Sequence, residues 1–118
     1  MKTSRIVRAA AAAAVLLLSA ARRSPAEEPR VVEIVAKRFE FAPKQVTLKK
    51  GETVTFRLRS EDVTHGFFSR KLKIEGEAVP GKATDVTITP DAAGTYTVIC
   101  DHFCGAGHGN MKMQVVVE

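Results

Sequence analysis

Thr53-Val54-Thr55-Phe56-Arg57-Leu58-Arg59 alternates polar and apolar residues without a break. Successive side chains of a strand point to opposite faces, so this pattern predicts a half-buried strand with Val54, Phe56 and Leu58 inward. The signal repeats on both sides. Upstream, Val31–Ala36 is a short β-rich run, Phe39 and Phe41 alternate with Arg38 and Glu40 up to Pro43, and Gln45–Lys49 alternates around Val46 and Leu48. Downstream, Lys71–Glu77 alternates weakly around Leu72 and Ile74, and Thr84–Thr89 does so around Val86 and Ile88. Thr95–Cys100 places Tyr96, Val98 and Cys100 on one face, and Met111–Val117 is a β-branched run. Turn signals separate these runs at Lys50-Gly51, Val79-Pro80-Gly81-Lys82 and Pro90–Gly94. About seven to eight short, regularly spaced strands predict an all-β Greek-key sandwich. No helical period, internal repeat or low-complexity linker occurs between residues 27 and 118.

The N-terminus reads differently. Lys2, Arg5 and Arg8 precede an apolar run from Ala9 to Leu18, and small residues offer cleavage after Ala21 or Ala26. That is the pattern of a secretory signal peptide over residues 1–26, with an uncleaved anchor as the alternative. The run is short of the roughly 20 apolar residues of a spanning helix. No Cys follows it, which excludes a lipid anchor of the lipoprotein type. The expected location is therefore the periplasm or the extracytoplasmic face of a membrane. The leader also accounts for the charge. It holds five of the 18 basic residues and none of the 13 acidic ones, so residues 27–118 are formally neutral. Net charge thus makes no case for nucleic acid as a partner.

The chemistry concentrates near the C-terminus, in Cys100-Asp101-His102-Phe103-Cys104-Gly105-Ala106-Gly107-His108-Gly109-Asn110-Met111. Both cysteines of the chain and two of its three histidines lie in these twelve residues, and His65 lies 35 residues before Cys100. Thiolate, thioether and imidazole together suit a soft or borderline transition metal, copper first. Several readings are open. A disulfide would close a loop of four residues and leave His108 and Met111 without a purpose. Structural zinc on Cys100, Cys104, His108 and His65 is a legitimate set, but it too leaves Met111 idle. A mononuclear blue-copper site uses His65, one Cys, His108 and Met111, and strands a free thiol in an oxidising compartment. A pair of copper ions bridged by both thiolates, capped by His65 and His108 and weakly by Met111, uses every residue. No set of general acid, base or nucleophile remains for chemistry of the chain's own, so it is not expected to be an enzyme by itself.

The order His65 … Cys100-x3-Cys104-x3-His108-x2-Met111 resembles the binuclear copper A motif of cytochrome c oxidase subunit II, which also occurs in nitrous oxide reductase. Asp62-Val63-Thr64-His65, Val79-Pro80-Gly81 and Tyr96 resemble landmarks of the same domain, and the likeness covers residues 31–118. The resemblance implies a cupredoxin sandwich in which Cys100 and Cys104 bridge two coppers. It implies that His65 and Met111 bind one ion, and that His108 and the backbone carbonyl of His102 bind the other. It also implies a role in accepting electrons from a c-type cytochrome or other redox protein, for a terminal oxidase or reductase at the membrane. The rival functions are copper storage or delivery, and a metal-stabilised domain without redox work. The chain departs from subunit II at three points. His102 stands where a glutamate is usual, a leader takes the place of two spanning helices, and there is no Trp to serve as an electron port. Phe67, Phe68 and Phe103 are candidates for an apolar docking surface or for core. Met113 is expected in the core. Arg57, Arg59, Arg70, Lys71 and Lys73 are expected on solvated faces unless they gather near the site to orient an acidic partner.

Overall fold

The structure is a computed structural model that describes residues 29–118. The leader expected over residues 1–26 lies outside the described residues. Nine strands occur among the described residues: β1 (Arg30–Lys37), β2 (Glu40–Ala42), β3 (Gln45–Leu48), β4 (Val54–Ser60), β5 (His65–Ser69), β6 (Ile74–Ala78), β7 (Thr84–Ile88), β8 (Gly94–Ile99) and β9 (Lys112–Val117). They form two mixed sheets, ordered β2-β1-β4-β7 and β3-β9-β8-β5-β6. The strand beyond the eight runs read from the sequence is β5, a stretch without polar–apolar alternation. The chain reverses at Arg38-Phe39, so β1 and β2 pair antiparallel with Lys37 opposite Glu40. For this reason Phe39 does not share the inward face of Phe41. Phe41 is fully buried, whereas Phe39 is 38% exposed.

The central pattern holds. Val54, Phe56 and Leu58 of β4 are fully buried, as the alternation requires. Thr55, on the other face of β4, is also covered, and its hydroxyl pairs with that of Thr87 at 2.8 Å. The two sheets close on each other through an aromatic stack. Phe67 of the second sheet meets Phe41 and Phe56 of the first edge-on, with ring centroids 5.5 and 5.6 Å apart. Edge-to-face pairs of this kind add about 0.5–1.5 kcal/mol beyond their area burial. Met113 is buried in the same core.

The second sheet positions the site. β8 lies between β5 and β9 and runs antiparallel to both. Ile99 at the end of β8 pairs with Lys112 at the start of β9 and with Phe68 of β5, so the chain leaving β8 at Cys100 runs back along the start of β5. Three positions far apart in sequence, His65, Cys100 and Met111, arrive at one pole of the sandwich by pairing alone. His65 is the first residue of β5 and has no exposed surface.

Candidate metal centre

Each candidate ligand is held by backbone that does other work. Cys100 follows β8 directly, and its N–H donates to the carbonyl of Met111 at 3.1 Å, which closes the neck of the 100–111 loop. Inside the loop, His108–Asn110 forms a single 3-10 turn, tied by Met111 N–H to the His108 carbonyl at 3.1 Å. This turn brings His108 and Met111 back toward Cys104. Gly105 has φ +139°, a region where a side chain is strained, and a Cβ there would lie 2.9 Å from the Phe39 ring. The loop can wrap this closely only because the position is glycine.

The ligand atoms converge. The Sγ atoms of Cys100 and Cys104 are 3.7 Å apart, and both residues are buried free thiols. Cys104 Sγ lies 3.7 Å from His108 Nδ1 and 3.8 Å from Met111 Sδ. Cys100 Sγ lies 3.1 Å from the carbonyl oxygen of His102 and accepts the N–H of Gly66 at 3.3 Å. The ligand atoms of His65, Cys100 and Cys104 all lie within 4.8 Å of one another. The His102 imidazole is turned elsewhere. It is exposed, with Nδ1 3.1 Å from the Phe103 carbonyl, so this residue offers the cluster its backbone oxygen.

His65 shows how the cluster is primed. Its Nε2 lies 2.6 Å from Asp62 Oδ1, while Nδ1 is buried with no hydrogen-bond partner. With the Nε2 proton given to the carboxylate, Nδ1 keeps its lone pair. A buried nitrogen left unpaired beside two thiols is costly unless something binds it. A carboxylate on the far nitrogen of a histidine is the usual way to orient a metal-binding imidazole. These residues therefore fit a soft metal ion.

Electrostatics agree with that fit. Burial raises the Asp62 carboxyl, but the N–H of Arg38, the His65 imidazole and the N–H of Val63 outweigh it and hold its pKa at about 2. Burial pushes the Cys104 thiol up to about 11, with the neighbouring Cys100 adding to the effect and the Arg38 guanidinium opposing it. Without a metal the Cys104 thiol stays protonated near neutral pH, and metal binding must release that proton.

Asp62, Arg38 and Phe39 complete the site beyond the candidate ligands. Asp62 could have been read from its place three residues before His65, a polar residue one loop away from an isolated histidine. Arg38 and Phe39 carry no sequence signal, because they reach the loop across 66 positions. Of the other cations, Arg57 and Arg59 pair with Asp85 and Glu33 on the outer face of the first sheet. Arg70, Lys71 and Lys73 lie at the other end of β5 from His65. None of these five gathers at the site.

The family model of the cupredoxin-like domain matches residues 8–117, nearly the whole chain, including every strand just described.

The chain belongs to the cupredoxin-like domain family.

Among its relatives, cytochrome c oxidase subunit 2 of Thermus thermophilus is 34% identical over 87 residues, covering 74% of this chain and 64% of that subunit. The nitrous-oxide reductase of Cupriavidus necator is 34% identical over 91 residues, covering 74% of this chain and 14% of the reductase. The cupredoxin-like chain thus spans less than two thirds of either relative. The periplasmic domain of subunit II of cytochrome oxidase from Bradyrhizobium japonicum has the same fold. It gives a TM-score of 0.71 over 79% of this chain and 86% of that domain, at 13% identity.

Proposed function

We propose that this cupredoxin-like chain is an electron-transfer module with a binuclear copper centre. In this reading the Cys100 and Cys104 thiolates would hold two copper ions in common, His65 and Met111 would serve one, and His108 with the His102 carbonyl oxygen would serve the other. The observation that carries it is the pair of buried free thiols 3.7 Å apart, each within 4 Å of further donors. A mononuclear blue-copper site would leave one of these thiols without work, and a single zinc on both would leave Met111 idle. The similarity to oxidase subunit 2 and to nitrous-oxide reductase supports the same reading.

Copper held by these residues would supply a one-electron couple. The chain's own residues keep that couple rigid. Asp62 fixes the His65 ring, the Gly66 N–H steadies the Cys100 sulfur, and the apolar core behind Met111 excludes water. Phe103 is 74% exposed and its ring centroid lies 5.8 Å from that of His108. It offers an apolar contact beside a ligand imidazole for a c-type cytochrome or other redox protein. The electron then passes to a terminal oxidase or reductase, with the domain exported and working outside the cytoplasm. The chain performs no further reaction of its own.

Reconstitution of the full chain with Cu(II) under mild reductant tests this. The expected product is a purple mixed-valence species with a seven-line copper hyperfine pattern. A four-line spectrum means a mononuclear blue site, and a colourless, silent product means zinc, a disulfide or Cu(I) handling. Cys104→Ser is expected to lose the seven-line signal.

A further inference from the structure

We infer that Arg38 is a positioning residue that locks the Cys104 side of the site to the His65 side and keeps a positive charge beside the thiolates. The inference rests on the copper reading above, but its geometric half stands without metal. Arg38 lies in the reversal between β1 and β2, far in sequence from every candidate ligand. Its backbone N–H donates to Asp62 Oδ2 at 2.8 Å, and the other oxygen of that carboxylate holds His65 Nε2 at 2.6 Å. Its side-chain Nε donates to the Cys104 carbonyl at 2.9 Å. One residue therefore reaches the histidine arm through a carboxylate and the cysteine loop through a carbonyl. Phe39, its neighbour, lies under Gly105 and Gly107 of the same loop.

Among the described residues Arg38 has no ion-pair partner, whereas Arg30, Arg57 and Arg59 each have one. The Nε hydrogen bond to the Cys104 carbonyl fixes the guanidinium next to the cysteine loop. When an electron arrives, the net charge of the centre falls by one. A fixed cation nearby favours the electron-rich form over the oxidised one. Arg38 therefore raises the reduction potential as well as bracing the loop.

The test uses the full chain as wild type, Arg38→Met and Arg38→Lys. Arg38 is exposed, so shortening it removes no core contact. Amide exchange of β4 serves as the folding control. In the metal-free reduced protein, exchange of loop amides 101–110 is expected to quicken about five- to tenfold in Arg38→Met, the effect of one net hydrogen bond. Unchanged loop exchange overturns the brace. In the copper-loaded protein the midpoint potential is expected to fall in Arg38→Met and to return toward wild type in Arg38→Lys. A potential that stays put in Arg38→Met, or falls equally in Arg38→Lys, overturns the charge role. If wild type gives no mixed-valence signal, the copper reading fails by itself, and the exchange experiment still decides the brace.

Discussion

Asp62→Asn keeps the shape of the side chain and removes its charge and one acceptor. In the native protein the two oxygens take three close partners, the N–H of Arg38 at 2.8 Å, the N–H of Val63 at 2.6 Å and His65 Nε2 at 2.6 Å, with the Ser60 hydroxyl farther off at 3.5 Å. The amide can accept on one side only, so its NH2 group must face a donor. A carboxylate held at a pKa of about 2 rather than near 4 corresponds to about 2.5 kcal/mol of preference for the charged form. The group lies at the edge of solvent, which screens part of this, and a loss of about 1–2 kcal/mol is expected. The measurement is denaturant unfolding of the metal-free protein at pH 7, followed by copper affinity in a competition titration. Affinity is expected to fall about 10–100-fold, because the His65 ring loses its orienting partner. The pH dependence has a definite sign. A depressed carboxyl stabilises the fold fully above the unfolded value near 4, and the contribution is lost as pH falls through about 2. The gap between wild type and Asp62→Asn should therefore be full at pH 6 and close toward pH 2. Coincident unfolding curves at pH 7, with copper affinity unchanged, would falsify the role given to Asp62.

Three further outcomes follow from the geometry. Gly66→Ala places a Cβ 2.0 Å from Asp101 Oδ1 and 2.7 and 2.8 Å from the backbone nitrogens of Asp101 and His102. The variant is expected to lose about 1–3 kcal/mol and much of its copper affinity; an unperturbed site by spectrum and titration would contradict the packing. Phe67→Ala opens the centre of the aromatic stack and is expected to lower unfolding free energy by about 3–5 kcal/mol, so a loss under about 1 would show that the stack does not hold the sheets together. Phe103→Ser alters an exposed ring, so stability should stay within about 0.5 kcal/mol. Its copper spectrum should be unchanged while reduction by a c-type cytochrome slows, and an unchanged rate would remove Phe103 from the docking surface.

Much of this protein was legible along the chain. Val54, Phe56 and Leu58 announced β4, and Cys100, Cys104, His108 and Met111 announced a common purpose by their spacing. Both signals are local: alternation reports the two faces of a single strand, and short ligand spacing reports a single loop. Phe39 shows where such local signals stop. It continues the alternation of Phe41, but the chain reverses between Arg38 and Glu40 and sends it to the rim of the 100–111 loop.

The sequence by itself determined the all-β class, the inward faces of the strands and the donor types available to a metal. Periodicity and side-chain chemistry carry that information residue by residue. Only the tertiary structure decided how those donors are used. The antiparallel placement of β8 between β5 and β9 brings His65 beside Cys100 and Met111. The turn of the loop points the His102 carbonyl inward and its imidazole away. The reversal after β1 delivers Arg38 to Asp62 and to Cys104. Each of these depends on which strands pair and how the sheets pack, and that is settled by the whole core rather than by any stretch of it.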